Sequence, residues 1–127
     1  MSSIPVISII DDDESVRAAT NRLVRSLGFV ALTFSSADDF LRSPHVHDTS
    51  CVITDVQMPG MSGMELQSAL IASGKDIPII FITAFPDERV RTRAMEAGAV
   101  GFLSKPFKGS TLIQCIDDAL NSRSDRR

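Results

Sequence analysis

The sequence predicts an α/β fold, a (βα)5 arrangement in which five parallel strands form one doubly wound sheet with helices on both faces. Three observations predict it. Short apolar runs alternate five times with segments of helical period. Two of those runs, ISII at 7–10 and IPIIFIT at 77–83, are almost continuously apolar, as strands covered on both faces are. The segments between runs are long enough for the crossovers that parallel neighbours require. A chain of 127 residues, 43% of them hydrophobic, has room for one core and one domain.

Each element has its own signal. The first strand is read over Ile4 to Ile10, and a helix follows from Glu14 to Leu27, where Gly28 offers the left-handed residue that ends helices. Phe29 to Phe34 reads as the second strand and Ala37 to Leu41 as a short helix. The third strand is Cys51 to Thr54, with a helix from Gly63 to Ala72 ending near Gly74. Ile77 to Thr83 gives the fourth strand, and Asp87 to Ala97 a helix closed by Gly98. Gly101 to Leu103 and Ser110 to Leu120 complete the series. Asn121 to Arg127 are polar and expected to fray, so the single domain 1–127 has a core of about 4–121 and a tail at 122–127.

Composition excludes several function classes. A net charge of -3, with cations spread along the chain, leaves no footprint for nucleic acid or a membrane surface. No apolar run approaches the roughly 20 residues that span a bilayer, and no leader pattern opens the chain. Cys51 and Cys115 stand in apolar and amphipathic runs and read as buried thiols, which suits a reducing cytoplasm.

In a parallel sheet the carboxyl ends of all strands share one edge, and ligands bind there, where strand order reverses. Asp11, Asp12 and Asp13 follow the first strand, Asp55 the third, Thr83 ends the fourth, and the fifth runs into Lys105 and Pro106. Singly these have ordinary explanations, since an Asp after a strand often caps the next helix and a lone lysine or threonine is usually a surface residue. Together they describe carboxylates that repel one another unless a cation intervenes. An oxygen-only donor set suits magnesium better than zinc. A carboxylate can itself attack phosphorus while a metal ion and an ammonium group offset the charge, which assigns Asp55 and Lys105 those parts.

The segments IIDDDESVR (9–17), TDVQMPGMSGMEL (54–66), FITA (81–84) and AGAVGFLSKPF (97–107) together resemble the receiver domains of two-component response regulators, FixJ-like members of the CheY-like superfamily. The resemblance runs along almost the whole chain and implies the flavodoxin-like version of the fold. It implies that Asp55 accepts a phosphoryl group from a histidine kinase or phosphotransfer protein. It places magnesium on Asp12, Asp55 and the backbone carbonyl of Gln57, with Asp11 acting through water, and pairs Lys105 with the phosphoryl oxygens. A cis Lys105–Pro106 peptide is implied, as is a switch in which Thr83 moves toward the phosphoryl group. Phe102 then swings inward to reshape the face of the fourth helix, fifth strand and fifth helix.

Within that family Gln57 and Phe85 occupy positions that tune water access, so a bulky Phe85 is expected to slow hydrolysis. Arg89, Arg91 and Arg93 make the fourth helix more charged than the dimer face of FixJ and read as a solvated face with Asp87, Glu88 and Glu96. A monomer and a phosphorylation-dependent dimer both remain open, and the downstream effector is unnamed by the sequence. His45 and His47, spaced H-x-H in a polar loop, are discounted as a metal site. Met58, Met61 and Met64 read as packing around a turn.

The expectation is therefore a cytoplasmic phosphorylatable switch and no enzyme, with no direct nucleic-acid binding. The polar tail favours a stand-alone protein over the excised N-terminal receiver of a FixJ-like DNA-binding regulator. A magnesium phosphohydrolase using an aspartyl phosphate is disfavoured because Gln57 stands where such enzymes carry a second acid. A flavodoxin-like cofactor site is disfavoured by three aspartates where a phosphate-cradling loop is needed, and a serine hydrolase by the lack of a G-x-S-x-G elbow.

Overall fold

Alternation along each strand decides which helices cover which face of the sheet. The computed structural model describes residues 4–124. Its strands are β1 (Val6–Ile10), β2 (Val30–Phe34), β3 (Cys51–Asp55), β4 (Ile79–Thr83) and β5 (Gly101–Ser104). Its helices are α1 (Glu14–Ser26), α2 (Ala37–Arg42), α3 (Gly63–Ala72), α4 (Glu88–Glu96) and α5 (Gly109–Ser124). All pairings are parallel and the order across the sheet is β2-β1-β3-β4-β5. The order therefore reverses between β1 and β3, which puts their carboxyl ends at the crevice that open α/β sheets use for ligands.

Ile7, Ile9, Cys51, Ile53, Ile80 and Ile82 face one way and pack with Val24 of α1 and Leu112, Ile116 and Ala119 of α5. Ile10, Val52, Ile79 and Phe81 face the other way, against Phe40 of α2, Leu66 and Leu70 of α3 and Ala94 of α4. Ser8, the polar residue in ISII, is fully buried and shares a 2.8 Å hydrogen bond with the Thr49 hydroxyl. Met58 is buried and Met61 and Met64 pack against the same core, as their spacing around Pro59 and Gly60 led one to expect. Cys51 is buried and Cys115 half-buried.

The helix ends follow local chemistry. Asp13 caps α1, accepting from the amides of Ser15 and Val16; Ser62 and Glu65 form a reciprocal capping box on α3; Asp87 caps α4 rather than opening it. At its far end α4 closes with Ala99 N–H donating to Ala94 O and Gly98 N–H to Met95 O. Gly98 has φ +106°, the left-handed conformation this closure requires. Only Ala94 of α4 is buried. The buried Gln67 side chain of α3 donates a further hydrogen bond to the Ala94 carbonyl, at 3.1 Å.

Three expectations need correction. β1 begins at Val6 and β4 at Ile79, because the ladder starts where a partner strand starts, leaving Ile4 60% exposed. Residues 44–48 form a short 3-10 helix with buried Val46, rather than the polar loop expected around His45 and His47. His45 there lies 3.7 Å from Asp48, and His47 Nδ1 lies 3.4 Å from the Lys75 ammonium. Helix α5 continues through Asn121 to Ser124, where fraying was expected; residues 125–127 of the expected tail lie outside the described residues.

Candidate functional site

Five strand ends bring the acids and the lysine together. Asp11 follows β1, where its amide donates to Phe34 O at 3.1 Å. Its side chain is fully buried, with Oδ1 accepting from the Asp13 amide at 2.9 Å. Asp55 is the last residue of β3 and is buried at 7% exposure, and its Oδ1 accepts from the Gln57 amide at 3.2 Å. Lys105 follows β5, its own amide tied to Thr83 O at 2.8 Å. From there its ammonium reaches Asp55 Oδ2 at 3.0 Å and Asp11 Oδ2 at 3.2 Å. The Lys105–Pro106 peptide is cis.

Asp12, exposed at the mouth, completes a group of three carboxylates, with Asp11 and Asp55, whose ligand atoms lie within 4.8 Å of one another. Asp13, identical in sequence, is spent on the α1 cap. A cavity of about 230 Å³ lies over the group, lined by Asp12, Asp13, Asp55, Gln57, Ala84, Phe85 and Lys105. Thr83 is buried below, its hydroxyl oxygen accepting from the Phe85 amide at 3.0 Å, so its own hydrogen is left to donate. Phe85 itself is 70% exposed at the rim.

Two predicted residues stand apart. Phe102 is half-buried on β5, its ring 6.2 Å from that of Phe81. It lines a separate groove of about 380 Å³ with Pro86, Asp87, Glu88, Arg91 and Ser104. Pro106 lines an apolar groove of about 460 Å³ between α1 and the start of α5, with Val16, Leu23 and Phe107. The arginines of α4 are solvated as read: Arg89, Arg91 and Arg93 are exposed, and Arg91 pairs with Glu88 at 3.5 Å. Among the described residues neither histidine belongs to a group of potential metal ligands.

Burial pushes the Asp11 carboxyl above its ordinary value, with the charge of Asp55 adding to it, against the Asp13 amide and Lys105. Burial also works against the Lys105 ammonium, but its hydrogen bond to Asp55, its close pairing with Asp11 and the charges of both outweigh it and hold its pKa above the ordinary value. Asp11 Oδ2 has no hydrogen-bond partner, because the nearby ammonium lies at ion-pair distance without hydrogen-bond alignment. An orphaned buried carboxylate oxygen beside two further carboxylates, with no nitrogen or sulfur donor in the group, fits a hard divalent cation such as magnesium.

A pH signature follows. The folded state keeps the Asp11 proton to higher pH than the unfolded chain does. Ionising it thus costs stability, and the metal-free protein is expected to gain stability as pH falls through that raised value toward the ordinary carboxylate range. Lys105 has the same sign in an alkaline window: its contribution is complete below its unfolded pKa and is lost as pH rises through its folded one. Asp11→Asn should therefore stabilise the metal-free protein at pH 7 by about 1 kcal/mol, a few degrees of melting temperature. Thermal melts with and without chelator check this, and a variant melting below wild type overturns it.

Arg17 was absent from the sequence reading. Its Nη1 donates to the Asp11 carbonyl at 2.6 Å, and the available signal was a cation in the first turns of α1, six residues after Asp11.

Residues 7–117 match the family model of the response regulator receiver domain. The chain is 43% identical over 122 residues to the response regulator protein TodT of Pseudomonas putida, covering 96% of this chain and 54% of TodT. It is 39% identical over 122 residues to nodulation protein W of Bradyrhizobium diazoefficiens, with the same two coverages of 96% and 54%. The chain thus spans about half the length of the curated relatives it matches. The crystal structure of FixJ-N is 35% identical and superposes with a TM-score of 0.83, covering 95% of this chain and 96% of that one.

Proposed function

The chain belongs to the response regulator receiver domain family, and from that premise we propose that Asp55 accepts a phosphoryl group from a histidine kinase or phosphotransfer protein. The observation that carries this is the group of three carboxylates with the Lys105 ammonium 3.0 Å from Asp55. The Gln57 amide on Oδ1 and Lys105 on Oδ2 fix the plane of the Asp55 carboxylate. An oxygen of that carboxylate forms the new bond to phosphorus as the bond from phosphorus to the donor breaks, and the donor leaves with that electron pair. Lys105 then transfers its pairing to the phosphoryl oxygens.

Asp12, Asp55 and the Gln57 backbone carbonyl would hold magnesium, with Asp11 acting through water. When bound, magnesium supplies charge neutralisation at the transferring oxygens. The Thr83 hydroxyl donates to the added phosphoryl group, whose charge of about -1.5 to -2 draws it, and Phe102 turns inward from its groove beside α4. The switched face of α4, β5 and α5 is then read by another protein or domain. No helix among the described residues is long and apolar enough to cross a membrane.

The test is incubation with acetyl phosphate with and without magnesium, read by intact mass. One added phosphoryl group, dependent on magnesium, is the expected result; no gain in either condition overturns the reading. A second outcome concerns lifetime. Phe85 overhangs the cavity, so Phe85→Ala opens the path for water, and the phosphorylated variant should lose its group about 3-fold to 10-fold faster, on the order of 1 kcal/mol of barrier. An unchanged decay rate would remove Phe85 from the hydrolysis path.

A further inference from the structure

Arg17 stands against the acidic edge, yet among the described residues it forms no ion pair. A guanidinium beside carboxylates ordinarily takes one of them in a forked pair. Here the half-buried side chain reaches back from α1 and gives Nη1 to a neutral acceptor, the Asp11 carbonyl, at 2.6 Å.

The consequence lies in the backbone. The Asp11 amide is held by Phe34 O at 3.1 Å and its carboxylate Oδ1 by the Asp13 amide at 2.9 Å. Asp13 in turn is fixed as the cap of α1. Asp12 is thus the one residue between two anchored ones, and it is exposed. The carbonyl of Asp11 belongs to the same planar unit as the amide of Asp12. A guanidinium that holds that carbonyl therefore sets the direction in which Asp12 leaves the chain. It also leaves every oxygen of Asp12 available, which a direct pairing with Asp12 would not.

We propose that Arg17 is a positioning residue for the divalent cation: by fixing the Asp11–Asp12 peptide it presents the Asp12 carboxylate beside those of Asp11 and Asp55. This role rests on the cation reading above. Lysine carries the same charge on a flexible stem with a compact head, so it restores the contact only in part.

The experiment is a Mg2+ titration of the isotope-labelled full chain, followed by the amide resonances of Asp12 and Gln57, since the chain has no Trp or Tyr to report by fluorescence. Arg17→Ala is expected to need about ten-fold more Mg2+ for half-saturation, and Arg17→Lys to fall between it and wild type. Alanine is a strong helix former at this α1 position, so the metal-free melting temperature of Arg17→Ala should stay close to that of wild type. Unchanged affinity in Arg17→Ala overturns the proposal, whatever happens to its melting temperature, because a purely structural role would move only the latter. Tighter binding overturns it too, as the behaviour of a guanidinium that merely repels the cation. No Mg2+-dependent shift in wild type overturns the cation reading and this role with it, and so is distinguishable from either.

Discussion

Asp55→Asn is expected to gain no phosphoryl group from acetyl phosphate under conditions where wild type gains one. The amide has nearly the shape of the carboxylate but lacks the anionic oxygen that attacks phosphorus, so the rate should fall by at least ~10³-fold. The fold should survive, because Asp55 Oδ1 accepts from the Gln57 amide and an amide oxygen serves equally well there. What is lost structurally is one of the two ion pairs of Lys105, leaving that to Asp11 at 3.2 Å. Intact mass after incubation with magnesium decides the matter. Phosphoryl gain by Asp55→Asn at the wild-type rate would move the acceptor to another side chain and overturn the assignment of this site.

Gly63→Ala is the substitution with the largest expected cost to the fold. A Cβ added at Gly63 overlaps the backbone carbonyl oxygen of Asp55 and comes within 3.1 Å of the Phe81 ring. The first residue of α3 is laid directly on the end of β3, an approach tightened by the 2.8 Å hydrogen bond from Gly63 N–H to Val56 O. Neither a strand backbone nor a buried ring yields cheaply, so about 3 kcal/mol of stability and roughly 10 °C of melting temperature should go. Because the residue displaced is the acceptor itself, phosphoryl gain should slow as well. Ser68→Ala, at an exposed position of the same helix, is the control and should melt within about 0.5 kcal/mol of wild type. A Gly63→Ala protein that melts with the control shows that α3 can move off β3 freely.

The order of elements and the carboxyl-edge position of Asp11, Asp12, Asp55 and Lys105 were legible because hydrophobic period and strand-end placement are written into local sequence. The limits of strands were not. Ile4 and Ile77 are as apolar as their neighbours, yet β1 begins at Val6 and β4 at Ile79, because ladder pairing depends on partners far along the chain. The 3-10 segment at 44–48 is shorter than any period that could announce it. Within the site, nothing local separates Asp13 from Asp11 and Asp12. Which of three identical residues caps α1, which is buried and which faces the cavity is decided by the angle at which the helix enters. The placement of Arg17 on a carbonyl, and the orphaned oxygen of Asp11, are likewise products of that entry.

Helix α4 has Ala94 as its one buried residue and is fastened at its far end by Gln67. Val90 and Met95 also pack against the core, but the exposed positions of α4 owe little to it, and surface changes of this kind usually cost less than about 0.5 kcal/mol. The acidic edge is drawn from strand ends, where Gly63, Thr83 and Asp55 leave almost no freedom of residue type. The two regions thus differ in how much substitution they tolerate: the exposed positions of α4 can change residue by residue at little cost to the fold, while the sheet edge that carries the chemistry cannot.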